Sequence, residues 1–365
     1  MKKIYLKING YTFQMIFESE IALENQLMYI SEYINLENIT LDIKQESFDV
    51  NFNYLETEKL YESLINSILN SSSRKRIETF ENQTHEIARI DNKDVFWNEK
   101  NQYVVLKESE DSFVFVTANA ERSCAYPLYI IYEILVRLEE NKKGIFMHGT
   151  SLNYDKKGIL LLNNKKKGKT TFLIKLLENP SVCKQFLSND RTFIHDKNGI
   201  FGIHHFPIPV VINAGTIKNS NSLREYVQGK RIFKRDIFDL DDHKSSCSIA
   251  NSELSFIFDS TTCIERTSLN QIIIPNLRLG ETGVFDIYQN QDTKILGDTC
   301  FTPYDTESLR KAWLYAKKYT DQELIEMSSE LLERIRLNVP IHIVNFSPDI
   351  PNEKIYNGLS KVLRR

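Results

Sequence analysis

Asn163, Asn164, Lys165, Lys166, Lys167, Gly168, Lys169, Thr170 and Thr171 follow the apolar run Ile159–Leu162 and lead into residues with helical spacing. Phosphate chemistry uses this order: strand, then G-x-x-x-x-G-K-[ST], then helix. Backbone amides wrap the phosphates while the helix N-terminus points its dipole at them. In that pattern Lys169 pairs with the β- and γ-phosphates and the Thr170 hydroxyl ligates Mg²⁺. Gly168 lets the backbone approach the anion with no Cβ in the way. The chain departs at the first position, where Asn163 stands in place of glycine. Asparagine is the non-glycine residue best able to take positive φ, so the sequence predicts a left-handed Asn163 and a workable turn. Lys165, Lys166 and Lys167 add charge beside a bound polyphosphate. The competing reading is a solvated basic turn that only looks like a motif.

Elements must hold this loop. The spacing predicts a helix over about 169–178, ended by Pro180, and a pair of strands within 143–164 whose second member feeds the loop. Apolar residues three and four apart predict a buried helix over 126–141. Further along, 199–212 reads as another strand pair, 306–319 and 320–336 as helices, 339–346 as a strand and 352–365 as a last helix. Thr320 followed by Glu323 makes a capping box for the second of those helices. Towards the N-terminus, Asn9-Gly10 between alternating runs predicts a hairpin. A second strand pair over 39–54, a helix over 56–70, a polar loop at 71–76, and strands at 85–90, 103–109 and 112–119 follow. Residues 1–115 are therefore expected to form a β-rich module, and 116–365 the phosphate-binding domain.

The 365 residues carry a formal net charge of −3, with 41% hydrophobic and 26% charged side chains, so no global basic excess argues for nucleic acid or a membrane. Five scattered cysteines outside any zinc spacing read as reduced thiols. Neither a signal peptide nor a long apolar span is predicted, and a cytoplasmic protein is expected. Self-association stays open.

Other constellations are weaker. His195, Asp196, His204 and His205 invite a metal reading, but neighbouring histidines on a strand point to opposite faces. Asp239, Asp241, Asp242 and His243 read as a charged surface loop, with a mobile substrate loop as the rival. Arg278 is a candidate to reach phosphate, as is the neighbourhood of Asp298.

His148-Gly149 in "FMHGTSL", Asp190 in "FLSNDRTFI", and the later "FPIPVV", "LNQIIIPNLRL" and "VPIHIVNFSPD" add to the loop. Over about 126–365 the chain resembles the HPr kinase/phosphorylase-like kinases, P-loop kinases related to phosphoenolpyruvate carboxykinase. It is most similar to the small members associated with ribosomally synthesised peptide clusters. Asp190 matches the second of that family's acid pair, and Asn189 stands where the first would be. The resemblance implies an α/β, HPr-kinase-like P-loop kinase domain with a mixed sheet, preceded by a β-rich (α+β) N-terminal domain. It further implies ATP and Mg²⁺ as cofactors and transfer of the γ-phosphoryl group to a serine or threonine hydroxyl of a peptide or protein, as in peptide natural-product maturation. Asp190 would be the base for the incoming hydroxyl or a magnesium ligand, and His148 would contact the transferring phosphate or orient Asp190. The N-terminal module would recognise the acceptor. Two alternatives stay open: a weak or inactive scaffold that binds nucleotide or peptide, and a nucleotidyl or small-molecule transferase using the same loop.

Overall fold

A computed structural model describes residues 1–365 apart from 32–33, 35–37, 42–46, 80–82, 180–181, 234, 259–260, 291–293, 304–313 and 364–365. The fold is α/β with mixed sheets. By internal contacts the chain divides into Met1–Lys143 with Thr302–Ile325, and Gly144–Phe301 with Glu326–Arg365.

The first unit contains β1 (Lys2–Ile8), β2 (Tyr11–Phe17), α1 (Glu20–Ile30), β3 (Ile39–Leu41), β4 (Val50–Glu56), α2 (Glu58–Leu69), β5 (Lys75–Thr79), β6 (Gln83–Ile90), β7 (Lys93–Asn98), β8 (Tyr103–Lys107), β9 (Ser112–Thr117), α3 (Ala120–Ser123) and α4 (Tyr126–Asn141). Its strands form one sheet in the order β3-β1-β2-β4-β9-β8-β7-β6-β5. Only the β2–β4 and β4–β9 pairs are parallel. The predicted hairpin closes through Asn9 (φ 53°) and Gly10 (φ 81°), two left-handed residues whose twist suits the strands they join. The division falls after α4, not near 115, because α4 is tied to this sheet. Tyr11 Oη donates to the Leu138 carbonyl at 3.0 Å, and Tyr126 stacks on Tyr103 with ring centroids 5.0 Å apart. The loop expected over 71–76 runs into β5 at Lys75, where pairing with β6 supplies the hydrogen bonds that polar composition alone did not suggest.

The second unit contains β10 (Ile145–Met147), β11 (Gly149–Tyr154), β12 (Lys157–Leu162), α5 (Lys169–Leu177), β13 (Lys184–Ser188), β14 (Thr192–Lys197), β15 (Ile200–His204), β16 (Val210–Asn213), α6 (Ala214–Lys218), α7 (Asn221–Gly229), β17 (Ser246–Ile249), α8 (Asn251–Ile257), β18 (Thr261–Cys263), β19 (Arg266–Leu277), β20 (Phe285–Gln289), α9 (Lys294–Asp298), β21 (Ile341–Phe346) and α11 (Asn352–Leu363), with most of α10 (Asp321–Asn338). The main sheet runs β10-β14-β15-β19-β12-β11-β13-β18, and β21 with β20 joins it on β19. The long β19 serves three neighbours in turn: β15 antiparallel at its start, β12 parallel in its middle and β21 parallel at its end. This places the C-terminal ends of β12, β19 and β21 side by side.

One core cluster sets Phe172, Leu173, Leu176 and Leu177 of α5 against Ile159 and Leu161 of β12, Ile273 of β19 and Val344 and Phe346 of β21. Leu160 and Leu162 point to the other face and pack with α10 residues Leu331 and Ile335. A strand apolar on both faces is what burial between layers requires, and it explains the unbroken run before the loop.

The strand pair expected over 199–212 is not formed, because β15 pairs with β14 and β19 while β16 pairs with β17 in a separate two-stranded sheet. The capping box at Thr320 forms: Thr320 N donates to Glu323 Oε2 at 2.7 Å and Glu323 N to Thr320 Oγ1 at 3.3 Å. Most of the helix expected over 306–319, and Pro180, lie outside the described residues.

Candidate functional site

A cavity of about 540 Å³ opens at the C-terminal ends of β12 and β19. His148, Asn164, Lys165, Lys166, Gly168, Lys169, Thr170, Thr171 and Asp190 all line it, so most of the residues singled out in the sequence meet at one place. Asn163 and Lys167 do not line it.

Asn163 is not left-handed; the loop's positive-φ residues are Lys166 (φ 66°) and Gly168 (φ 96°). The reason lies in the carboxamide. Asn163 Nδ2 donates to the Pro275 carbonyl of β19 at 2.7 Å, and Oδ1 accepts from Asn164 N at 2.8 Å. The residue thus continues the line of β12 and fastens it to its parallel neighbour, and the turn falls later. Lys167 contributes its carbonyl, which accepts from Leu277 N at 3.0 Å at the end of β19. Gly168 is constrained twice over. Its φ disfavours any side chain, and a Cβ there would sit 2.6 Å from Leu277 Cβ and 3.2 Å from the Phe346 ring.

Helix α5 starts directly behind Gly168, with no side chain capping its first amides. Those amides, with the helix dipole, form an anion-binding end. Lys169 is buried, and its ammonium donates to the Asn163 carbonyl at 2.6 Å. Burial pulls its pKa below the usual value, Lys165 acts in the same direction, and Asp190 opposes both. Lys165 and Lys166 are exposed on the rim.

Asp190 sits in the turn between β13 and β14 at φ 60°, a conformation aspartate tolerates. Its amide donates to Thr150 Oγ1 at 3.3 Å, and the Thr150 hydroxyl in turn donates to Asn189 Oδ1 at 3.0 Å. Asn189 is fully buried, and its Nδ2 has no hydrogen-bond partner among the described residues. His148, between β10 and β11, stacks on Phe301 with centroids 5.4 Å apart and an angle of 18°. Its Nε2 lies 3.9 Å from Asp190 Oδ1, too far for a hydrogen bond. Burial, then the charges of Lys169, Lys165 and Arg191, push its pKa down to about 4. His148 is therefore a neutral imidazole at pH 7.

Another part of the lining was anticipated only in the rival reading of 239–243 as a substrate loop. Asn213, Gly215, Thr216 and Asn219 from the β16–α6 segment, with Asp242 and His243, also line the cavity, and Val211, Leu277, Leu279, Gly280 and Pro348 make up the rest of its lining. The acidic stretch read as a charged surface loop thus supplies two lining residues. Thr216 Oγ1 lies 2.8 Å from Thr171 Oγ1, linking this wall to the first turn of α5. Asp242 Oδ1 accepts from Lys218 Nζ at 2.6 Å, and its carbonyl accepts from Gly215 N at 3.2 Å. The faint signal was the density of Asp and Ser around 239–246, which marks turns without saying what they face.

The weaker candidates are elsewhere. Arg278 bonds Asn345 Oδ1 at 3.2 Å and does not line the cavity, and Asp298 pairs with Lys294 on the exposed α9. His205 is buried, its ring nitrogen paired with the Leu187 carbonyl, so it faces away from His204 as strand alternation requires. No described helix is long and apolar enough to cross a membrane.

A positive-φ glycine, uncapped helix amides, three lysines, the hydroxyls of Thr170, Thr171 and Thr216, and the carboxylates of Asp190 and Asp242 line one cavity. This donor set fits a polyphosphate. Thr170 and Asp190 offer the hard oxygen ligands that Mg²⁺ prefers.

No protein-family model matches the chain, and no curated protein matches it. Among solved structures, the HPr(Ser) kinase/phosphatase from Coxiella burnetii aligns at 11% identity over 60% of this chain and 97% of that chain, with a TM-score of 0.27. The reading of the site therefore rests on its own residues.

Proposed function

We propose that the second unit binds Mg-ATP and transfers its γ-phosphoryl group to a serine or threonine hydroxyl of a peptide or protein. The observation that supports this most is the meeting of the Gly168-Lys169-Thr170 turn with Asp190 and His148 in a single cavity. The amides of residues 165–171 hold the α- and β-phosphates, and Lys169 leaves the Asn163 carbonyl to reach the β- and γ-phosphates. Lys165 and Lys166 offset the remaining negative charge. Asp190 takes the proton of the incoming hydroxyl as its oxygen bonds to the γ-phosphorus and the bond to the β-phosphate oxygen breaks, releasing ADP. His148, neutral, accepts or donates a hydrogen bond at the same end without adding charge. Thr170, and Asp190 as the alternative to its role as base, would hold Mg²⁺, which would neutralise charge on the departing diphosphate. The nine-stranded sheet of the first unit, with β3 and β5 outermost, offers an edge on which an extended acceptor peptide can add as a strand.

The test is transfer of label from γ-labelled ATP to candidate peptides, followed by mass spectrometry to locate the phosphate. Release of ADP with a phosphorylated serine or threonine supports the reading; release of pyrophosphate would replace it with nucleotidyl transfer. Asn189 favours a second reading, in which the site only binds nucleotide, since it puts a neutral carboxamide beside Asp190. Saturable ATP binding with no transfer to any acceptor would select that one.

A further inference from the structure

The polar wall of the cavity has a chemistry of its own. Asp242 lies on a cavity whose other side carries Lys165, Lys166 and Lys169, and its side chain is 54% exposed. One carboxylate oxygen is held by Lys218, whose ammonium also donates to the Leu240 carbonyl at 2.7 Å. The other oxygen has no partner among the described residues. A carboxylate repels phosphate, so this wall suits a part of the ligand that carries hydroxyl or amino donors. Direction along the cavity narrows the choice. Lys169, Asp190 and His148 mark the γ-phosphate end, since the lysine of this motif reaches the β- and γ-phosphates. The α-phosphate then falls towards the later amides, at Thr171. From Thr171 the Thr216 hydroxyl is 2.8 Å away, and Gly215, next to it, hydrogen-bonds the Asp242 backbone. The group that follows an α-phosphate is a ribose. Gly215 lets the two segments approach closely, because a Cβ there would stand 3.0 Å from Asp242 Cβ.

We propose that Asp242 accepts hydrogen bonds from the ribose 2′- and 3′-hydroxyls of the bound nucleotide, with Asn213, Asn219 and His243 beside it, so that the site selects ribonucleoside triphosphates over deoxyribonucleotides and inorganic polyphosphates. This rests on the nucleotide reading given above. An acidic side chain reading a ribose diol is the same physical solution that dinucleotide-binding folds use on an unrelated scaffold.

The experiment is calorimetric titration of the full chain, with Mg²⁺, by ATP, 2′-deoxy-ATP, 3′-deoxy-ATP and inorganic triphosphate, for wild type, Asp242→Asn and Lys169→Ala. A hydrogen bond to a charged group is worth enough to make ATP bind about tenfold or more tightly than either deoxynucleotide in wild type. Asp242→Asn keeps an oxygen for Lys218 and should bring ATP down to the deoxynucleotide level while leaving inorganic triphosphate unchanged. Equal affinity for ATP and both deoxynucleotides, with binding still lost in Lys169→Ala, overturns the ribose assignment and leaves the phosphate cradle standing. Asp242→Asn weakening all four ligands alike would also overturn it, since that is the mark of a structural role. No ATP binding by folded wild type would remove the nucleotide reading, and the ribose with it.

Discussion

The two sides of the cavity are built differently. The side at 163–171 is one continuous segment, fastened at both ends to β19 through Asn163–Pro275 and Lys167–Leu277, with α5 buried behind it. The side at 213–219 and 242–243 is assembled from two segments separated by α7, and its lining residues, apart from Gly215 and Thr216, are exposed. Its order comes from side chains such as Lys218, Asp242 and Asp241 bonding nearby backbone and one another. Rigid positioning serves groups that must meet developing charge. Recognition of a ligand's periphery tolerates looser walls.

Substitutions on the two sides should differ in kind as well as size. The largest effect is expected for Lys169→Ala, which should lower phosphoryl transfer by about two to three orders of magnitude in single-turnover measurements. Wild-type turnover in that variant would break the contrast at its centre. Next comes pH. His148 has a folded pKa of about 4 against 6.5 in an unfolded chain, so between those values the unfolded state binds the extra proton and stability falls as pH drops. The contribution is full above pH 6.5 and gone below about 4. It should amount to something on the order of 3 kcal/mol, and urea titrations of wild type against His148→Gln should show that the variant loses this part of the slope. Gly168→Ala should cost about 1–3 kcal/mol of stability, through its backbone conformation and the contact with Leu277, with weakened ATP binding. A smaller effect is expected across the cavity, where Thr216→Val removes the partner of the Thr171 hydroxyl. A loss of about 1 kcal/mol in thermal unfolding, with KM moving more than kcat, would fit a wall that binds and does not catalyse. A fall in kcat as large as that of Lys169→Ala would erase the distinction.

What could be read in the sequence follows the same divide. The strand, turn and helix at 157–177 were legible because they are consecutive and each has a local signature. His148 and Asp190 were legible only through a resemblance, yet they line the same cavity because β11, the strand that follows His148, pairs with both β12 and β13. The hairpin at Asn9-Gly10, the helix over 126–141 and the capping box at Thr320 were legible for the same local reason. The polar wall was not, since nothing in Asn213, Thr216 or Asp242 announces that two segments will fold onto one opening. The pairing of β16 with β17 instead of β15 was equally hidden, because alternation predicts strands and not their partners. Asn163 misled by its type: an asparagine suited to a left-handed turn was used for what its amide can reach.

The Asn163 carboxamide has a thermodynamic consequence. A glycine at that position would leave the segment many conformations to forfeit when an anion arrives. Here the bonds from Asn163 to Pro275 and from Leu277 to Lys167 restrict those conformations when the chain folds, so the ordering entropy is lost before any ligand is present. An anion could then be taken up with little loop rearrangement, and the amide hydrogen of Leu277 should exchange slowly even in the ligand-free protein.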